Sequence, residues 1–283
     1  MRILSIQSSV SYGHVGNSAA VFPLQRMGHE VMPVYTVVFS NHTGYGQWGG
    51  PMLTGENVRD IVAGIDARGG LDDVELVLSG YQGGDDIGDA ILDAVALVKE
   101  RNPNAVYACD PVLGSAQSGC FVAPEVQRLI RDRVVPKADI ITPNQFELGF
   151  ITGTDPHTIE ETLASVDLAR ASGPSVVLVT SVLRPDREPD TIEMMAVTDD
   201  GAWIVQTPYL PFKVNGSGDV TAALFSSHLL QLNDPAAALQ KTAESVFELL
   251  ERTLESGERE LQLVESQEAY VNPKHSFSVR KIR

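Results

Sequence analysis

Two cysteines, Cys109 and Cys120, are all that 283 residues contain. They are too few for a disulfide framework and suit a reducing compartment. Basic residues are scarce as well: 21 Lys and Arg stand against 37 Asp and Glu, a formal charge of −16. A surface of that sign repels phosphate backbones and anionic lipid, which argues against nucleic acid and membrane surfaces as partners. It repels any small anionic substrate too, unless metal ions and aligned backbone amides offset the field locally. No apolar run approaches a membrane span, and the start Met1–Ile6 turns polar too soon for a signal-peptide core. A cytoplasmic protein is therefore expected. No repeat, low-complexity tract or Pro/Ser-rich linker divides the chain. What is abundant is apolar residue, 43% of the sequence, with mean hydropathy near zero. Such a composition builds a sizeable core and argues against disorder. At this length one domain over 1–283 is expected.

Short β-rich runs alternate with amphipathic stretches, the pattern of βαβ units on a mostly parallel sheet flanked by helices. Strands are expected at Arg2–Gln7, Glu30–Val34, Leu76–Ser79, Ala105–Cys109, Asp139–Thr142 and Ser175–Thr180. Residues 85–100 carry Ile87, Ile91, Leu92, Val95 and Val98 at helical spacing, one buried stripe. Asn17–Met27 reads as a helix stopped by Gly28. After residue 190, Ile192–Thr198 and Ala202–Thr207 flank Thr198-Asp199-Asp200-Gly201, a hairpin signal. Helices are expected from Asp219 to about Tyr270, and the acidic stretch Glu248–Glu268 reads as a solvated helix face.

The sharpest chemical feature is Val214-Asn215-Gly216-Ser217-Gly218-Asp219, an acid opening a helix behind two glycines. Glycines let consecutive N–H groups converge, and a helix start adds roughly half a positive charge there. Together they make a nest for charge developing on a phosphoryl group in flight, with Asp219 placed to accept a hydroxyl proton. The plainer alternative is a glycine turn with Asp219 as a capping acid. No Gly-Lys-Ser/Thr follows, so this is not a P-loop. Two further acids sit at strand ends, Asp110 in Ala108-Cys109-Asp110-Pro111 and Glu147 in Thr142-Pro143-Asn144-Gln145-Phe146-Glu147. Ligands of open α/β sheets bind just past such ends, and paired carboxylates suit Mg²⁺ on nucleotide phosphates. Capping by Asn144 and Glu147, and a turn aspartate at Asp110, are the alternatives. The run Val38–Trp48, rich in aromatics and hydroxyls, reads either as loop packing or as a site wall. Tyr81 is open in the same way.

These residues recur together in a known family. Gln7-Ser8-Ser9, Tyr12-Gly13-His14-Val15-Gly16-Asn17, Phe22-Pro23-Leu24-Gln25, Phe39-Ser40-Asn41-His42-Thr43-Gly44-Tyr45, Leu78-Ser79-Gly80-Tyr81, Asp110-Pro111-Val112, Thr142–Glu147 and Gly216–Asp219 follow in order. The chain thereby resembles the pyridoxal kinases of the ribokinase superfamily over nearly its whole length. The Phe-Ser-Asn-His-Thr run is specific to that family, whereas Gly-Ser-Gly-Asp is shared across the superfamily. The resemblance implies ATP-dependent phosphorylation of pyridoxal, and a ribokinase-like fold with a small edge sheet near the active site. Asp219 takes the place of the catalytic base, and Gly216, Ser217 and Gly218 the anion hole. Ser8, Thr43, Gly44 and Tyr81 fall at polar substrate positions, with Val15, Phe39, His42 and Val214 around the ring. Asp110, Thr142, Glu147, Thr180, Thr207, Pro208, Tyr209 and Leu210 fall on the nucleotide side, Asp110 and Glu147 also at metal positions. Mg²⁺ with ATP, K⁺ as monovalent cation and a homodimer are implied in the same way. Ser217 replaces the commoner Thr or Val and keeps the backbone donors, while Ser115 stands where some members carry another acid.

Two other functions are weighed: a superfamily kinase acting on hydroxymethylpyrimidine or another small alcohol, and a non-catalytic B6-binding protein. The aromatic 38–48 run argues for a flat heteroaromatic substrate, and the full acid and glycine set argues for catalysis. Cys120, in a polar Gly/Ser run, is read either as an idle thiol or as one reaching the pyridoxal aldehyde.

Overall fold

A computed structural model describes residues 1–283 apart from the side chain of Asp85. In chain order the elements are β1 (Arg2–Tyr12), α1 (Asn17–Arg26), β2 (Glu30–Asn41), α2 (Gly55–Asp66), β3 (Val74–Ser79), α3 (Asp85–Arg101) and β4 (Val106–Cys109). The short strands β5 (Gly114–Ser115) and β6 (Gly119–Cys120) follow, then α4 (Pro124–Leu129), β7 (Ile140–Ile141), α5 (Gln145–Thr152) and α6 (Ile159–Ala171). The chain finishes with β8 (Val176–Val182), β9 (Thr191–Thr198), β10 (Gly201–Pro208), α7 (Ser217–Leu232), α8 (Pro235–Ser256) and β11 (Val279–Lys281).

One nine-stranded sheet runs in the order β11-β10-β9-β8-β7-β4-β3-β1-β2. From β2 to β8 every pairing is parallel, and β9, β10 and β11 add antiparallel strands at the other edge. The expected hairpin is present, Thr198 opposite Gly201. β5 and β6 form a separate two-stranded sheet. Side chains on the two faces of the sheet feed two cores, one with Leu4, Val77, Ile141 and Val177 under α2 to α6, the other with Ile3, Leu76, Leu178 and Phe225 under α7 and α8. Parallel strands covered on both faces read as unbroken apolar runs, which is why these segments are legible. Ile87, Ile91, Val95 and Val98 of α3 are buried as the periodicity predicts, each worth roughly 1.5–3 kcal/mol, whereas Leu92 is only partly covered. Among the described residues no helix is long and apolar enough to cross a membrane.

Val38–Asn41, grouped in sequence with a loop, is strand. Past a register shift between Gln7 and Ser9, β1 and β2 stay paired as Ser9 with Val38, Val10 with Phe39 and Tyr12 with Asn41. The two strands thus run beyond the sheet as an arm, and Val10, Val37 and Phe39 bury its inner side. Asn17 pins the base of this arm: its Nδ2 lies 3.2, 3.3 and 3.0 Å from the carbonyls of Ser5, Gln7 and Val34. The acidic stretch Glu248–Glu268 also differs from expectation. α8 stops at Ser256, Glu248 is buried and accepts from the Lys274 amide at 2.7 Å, and Glu260 turns inward. Leu261 and Leu263, both buried, draw this segment onto the protein and override its charge.

Candidate active site

Strand order reverses at β1: the chain goes from β1 to β2 on one side, then crosses to β3 on the other. Parallel α/β sheets open a crevice at such a point, past the C-terminal strand ends. Ser8 on β1 and Tyr81 after β3 flank it. Val15 and Phe39 are buried in one apolar group with Val10 and Val37, and the Tyr81 ring packs against that group. Burial raises the Tyr81 hydroxyl above its usual range, so it remains a donor. Thr43 and Gly44 form a short 3₁₀ turn, and His42 caps it by accepting the Gly44 N–H on Nδ1 at 3.0 Å. Burial lowers the His42 pKa, so a neutral ring with its hydrogen on Nε2 is the consistent tautomer. Val214 packs instead on the group of Ala19, Val220 and Leu224 beside α7. Val15, Phe39 and Tyr81 thus meet in one apolar group, His42, Thr43 and Gly44 share one turn, and Val214 packs apart from both.

The start of α7 forms its floor. Gly216 caps the helix in the left-handed region at φ 89°, with no capping side chain. A Cβ there would stand 1.9 Å from the His14 carbonyl oxygen, a contact only glycine tolerates. The first helical bond runs from Val220 N–H to Gly216 O, which leaves the amides of Ser217 and Gly218 without an intrahelical acceptor. Asp219 stands in this first turn. Burial pushes its carboxyl up to about 6, while the Gly16 amide and its own amide pull the other way by hydrogen bonding. Gly16 has φ 54°, and a Cβ would meet Ser8 O and Oγ at 2.3 Å each. The His14–Gly16 turn therefore lies flat between Ser8 and the helix start.

Asp110 and Glu147 complete a carboxylate group past β4 and β7. Asp110 Oδ1 takes the Thr142 hydroxyl at 3.0 Å, and Oδ2 lies 3.9 Å from where a Cβ on Gly218 would stand. Its pKa is raised well above the carboxylate range by burial first, then by repulsion from Glu147 and Asp219. Glu147 is buried at the start of α5, inside the capping box expected from the sequence. Its Oε1 accepts from the Leu113 and Gly114 amides at 2.8 and 3.2 Å, its Oε2 from the Asn144 amide at 2.9 Å. Burial outweighs those donors and raises it to about 7. No Lys or Arg belongs to the sequence-predicted set, so this charge calls for a cation. Among the described residues no cluster of three or more His, Cys, Asp or Glu ligands forms. One or two carboxylates with phosphate oxygens and water are the donor set that Mg²⁺ favours.

Thr180 lies farther along the sheet, bridged to Asn144, its amide 2.9 Å from the Pro143 carbonyl. Thr207 and Pro208 end β10, and the Tyr209 amide donates to Asp190 O at 2.8 Å. Tyr209 and Leu210 lead into the loop that returns to α7. This group is thus separated from Ser8 and Phe39 by the carboxylates in the middle of the cleft. Cys120 sits in β6, and burial raises its thiol, with the Glu147 charge adding to the effect. A thiol held protonated is a poor nucleophile. Sequence patterns single out none of Asn17, Asn215, Arg259 and Glu260 as site residues. Asn215 lies 3.9 Å from the Cβ position of Gly44, and the last two reach Tyr45 across more than 200 residues.

A family model described as phosphomethylpyrimidine kinase matches residues 87–263. A pyridoxal kinase of Leifsonia xyli is 66% identical over 282 residues, covering 100% of both chains. The structure of Leishmania donovani pyridoxal kinase in complex with ADP and pyridoxamine superposes with a TM-score of 0.92 at 28% identity, covering 100% of this chain and 99% of the other. A putative phosphomethylpyrimidine kinase of Bacteroides thetaiotaomicron gives a TM-score of 0.89 at 25% identity, covering 99% and 97%.

Proposed function

The chain belongs to the pyridoxal kinase family, and from that membership we infer that its cleft transfers the γ-phosphoryl group of ATP to the 5′-hydroxymethyl group of pyridoxal. The products are pyridoxal 5′-phosphate and ADP. One observation carries the reading to this chain's own residues: a partly buried carboxylate, Asp219, stands in the uncapped first turn of α7 beside open backbone amides. We read residues 1–283 as one kinase domain, cytoplasmic and assembled as a homodimer.

The residues take these roles. Ser8, Thr43, Gly44 and Tyr81 bind the polar groups of pyridoxal, while Val15, Phe39, His42 and Val214 enclose its ring. Thr142, Thr180 and Thr207–Leu210 hold the nucleotide. Asp219 accepts the proton of the hydroxymethyl group as its oxygen attacks in line. Gly216, Ser217 and Gly218 present their amides to the oxygens of the moving phosphoryl group, where charge is greatest in the transition state. Asp110 would hold Mg²⁺ with ATP, and Glu147, its oxygens already engaged by three amides, holds the 113–114 backbone beside it. Such an ion would supply positive charge against the nucleotide phosphates, which no Lys or Arg of the assigned residues provides. K⁺ is retained as the monovalent activator.

Two expected results follow from these assignments. With a carboxyl at about 6 in the free enzyme, kcat/KM for pyridoxal falls about tenfold per unit as pH drops below 6 and levels above 7. A flat profile from pH 5 to 8 contradicts Asp219 as base. Asp110→Asn raises the Mg²⁺ concentration for half-maximal rate by roughly 10–100-fold, read by titration at fixed ATP; an unchanged midpoint removes Asp110 from the ion.

The second reading, a hydroxymethylpyrimidine kinase, is favoured by the matching family model and the Bacteroides structure. A coupled ADP-release assay with pyridoxal, pyridoxine, pyridoxamine and hydroxymethylpyrimidine separates the two. Pyridoxal-dependent turnover supports the pyridoxal kinase, and turnover on the pyrimidine alone replaces the substrate but keeps the chemistry. Tight pyridoxal binding with no ADP release identifies a carrier.

A further inference from the structure

Glu260 lies outside every motif read from the sequence, yet its carboxylate joins two segments that frame the substrate end of the cleft. Oε1 accepts the Tyr45 hydroxyl at 2.5 Å, and Oε2 accepts the His14 backbone N–H at 3.0 Å. Beside it, Arg259 lays its guanidinium 3.7 Å over the Tyr45 ring and donates to the Gly44 carbonyl at 3.3 Å. Tyr12 meets the same ring edge-on, centroids 6.0 Å apart. Hydrogen bonding to Glu260 holds the Tyr45 hydroxyl up to about 12, so it stays a donor at any working pH.

Both ends of this bridge lead into the site. Tyr45 ends the turn that carries Thr43 and Gly44, capped by His42, and the charges of Glu260 and Arg259 are both felt at His42. On the other side, the His14 carbonyl rests on Gly216, and Gly16 supplies an amide to Asp219. Leu261, buried and 3.1 Å from the Gly216 Cβ position, anchors the segment from below. A turn held from outside the pocket is already ordered when substrate arrives, so binding does not bear that ordering cost.

We propose that Arg259 and Glu260 form a latch that holds the 42–45 turn over the pyridoxal ring. Glu260 is then a positioning residue: it touches no reacting atom and acts on affinity for pyridoxal, because the His14–Gly16 turn is also seated on Ser8 and Gly216. The proposal rests on the pyridoxal kinase assignment.

The test is steady-state kinetics on the full chain, with pyridoxal and ATP varied in turn, for wild type, Glu260→Ala, Tyr45→Phe and the double variant. Glu260→Ala raises KM for pyridoxal about tenfold or more, with kcat and KM for ATP within about threefold of wild type. Tyr45→Phe shifts KM in the same direction, and the double variant is no worse than Glu260→Ala, because both remove one bridge. Glu260→Gln, whose amide oxygen can accept the His14 N–H while its NH₂ donates to the Tyr45 hydroxyl oxygen, stays within about threefold of wild type. Amide hydrogen exchange separates local from global effects: in Glu260→Ala it accelerates at residues 42–48 and is unchanged in the sheet. Unchanged KM for pyridoxal, an equal rise in both KM values, additive single variants, or exchange that rises everywhere would overturn the latch. Wild type inactive on pyridoxal would overturn the substrate assignment instead, and exchange at 42–48 would still decide the latch.

Discussion

Asp219→Asn lowers kcat by roughly 10²–10³ or more while making the folded protein more stable. The kinetic half follows from removing the proton acceptor and part of the field aimed at the transition state, with both KM values little changed. The stability half follows from the direction of the pKa shift. Burial raises the folded-state carboxyl from 3.8 to about 6, so the native protein binds that proton more tightly than the unfolded chain does. The stability it contributes is full below about pH 3.8 and lost as pH rises through about 6. At pH 7 the ionised group therefore costs on the order of 2–3 kcal/mol, an upper bound for what Asn recovers. The ligand-free variant gains a few degrees in Tm at pH 7 and little at pH 4. Near-wild-type turnover, or a Tm gain independent of pH, contradicts the role given to Asp219.

Gly216→Ala lowers activity by a different route. At φ 89° a side chain already costs on the order of 1–3 kcal/mol, and the Cβ would stand 1.9 Å from the His14 carbonyl oxygen. Backbone cannot yield there without displacing the turn that aims the Gly16 amide at Asp219. The expected result is a fall in kcat/KM of roughly 10² or more, together with a stability loss of roughly 2–4 kcal/mol by urea unfolding. Gly218→Ala is the control. Its nearest contact would be Asp110 Oδ2 at 3.9 Å, with no positive φ, so the methyl is accommodated but faces the Asp110 carboxylate. Activity falls there without loss of stability. Equal stability losses in the two variants would show that the Gly216 contact is not the cause.

The parts legible in the sequence are those whose signal is local. Strands buried on both faces are unbroken apolar runs, and α3 carries its buried stripe every three or four residues. The acids Asp110, Glu147 and Asp219 stand out because each ends a strand or opens a helix next to Pro or Gly. Their mutual repulsion, which raises Asp110, depends on the ends of β4 and β7 and the start of α7 meeting in space although distant in sequence, and no local pattern carries that. The β1–β2 arm escapes a sequence reading because Ser40 and Asn41 look like loop residues; Asn41 pairs with Tyr12 of β1, and the Ser40 amide donates to the Gly49 carbonyl. Glu260 reads as surface because one acid among many in Glu248–Glu268 carries no mark; its partners lie 215 and 246 residues away.

The central claim is that this cleft moves a phosphoryl group from ATP to the pyridoxal hydroxymethyl group with Asp219 as base. Its most direct test is mass-resolved quantification of product and ADP from one reaction of wild type and Asp219→Asn with pyridoxal, Mg²⁺ and ATP. The account predicts pyridoxal 5′-phosphate and ADP in equal amounts from wild type, with both lost together in the variant. ADP without phosphorylated pyridoxal, or equal product from both proteins, would contradict it.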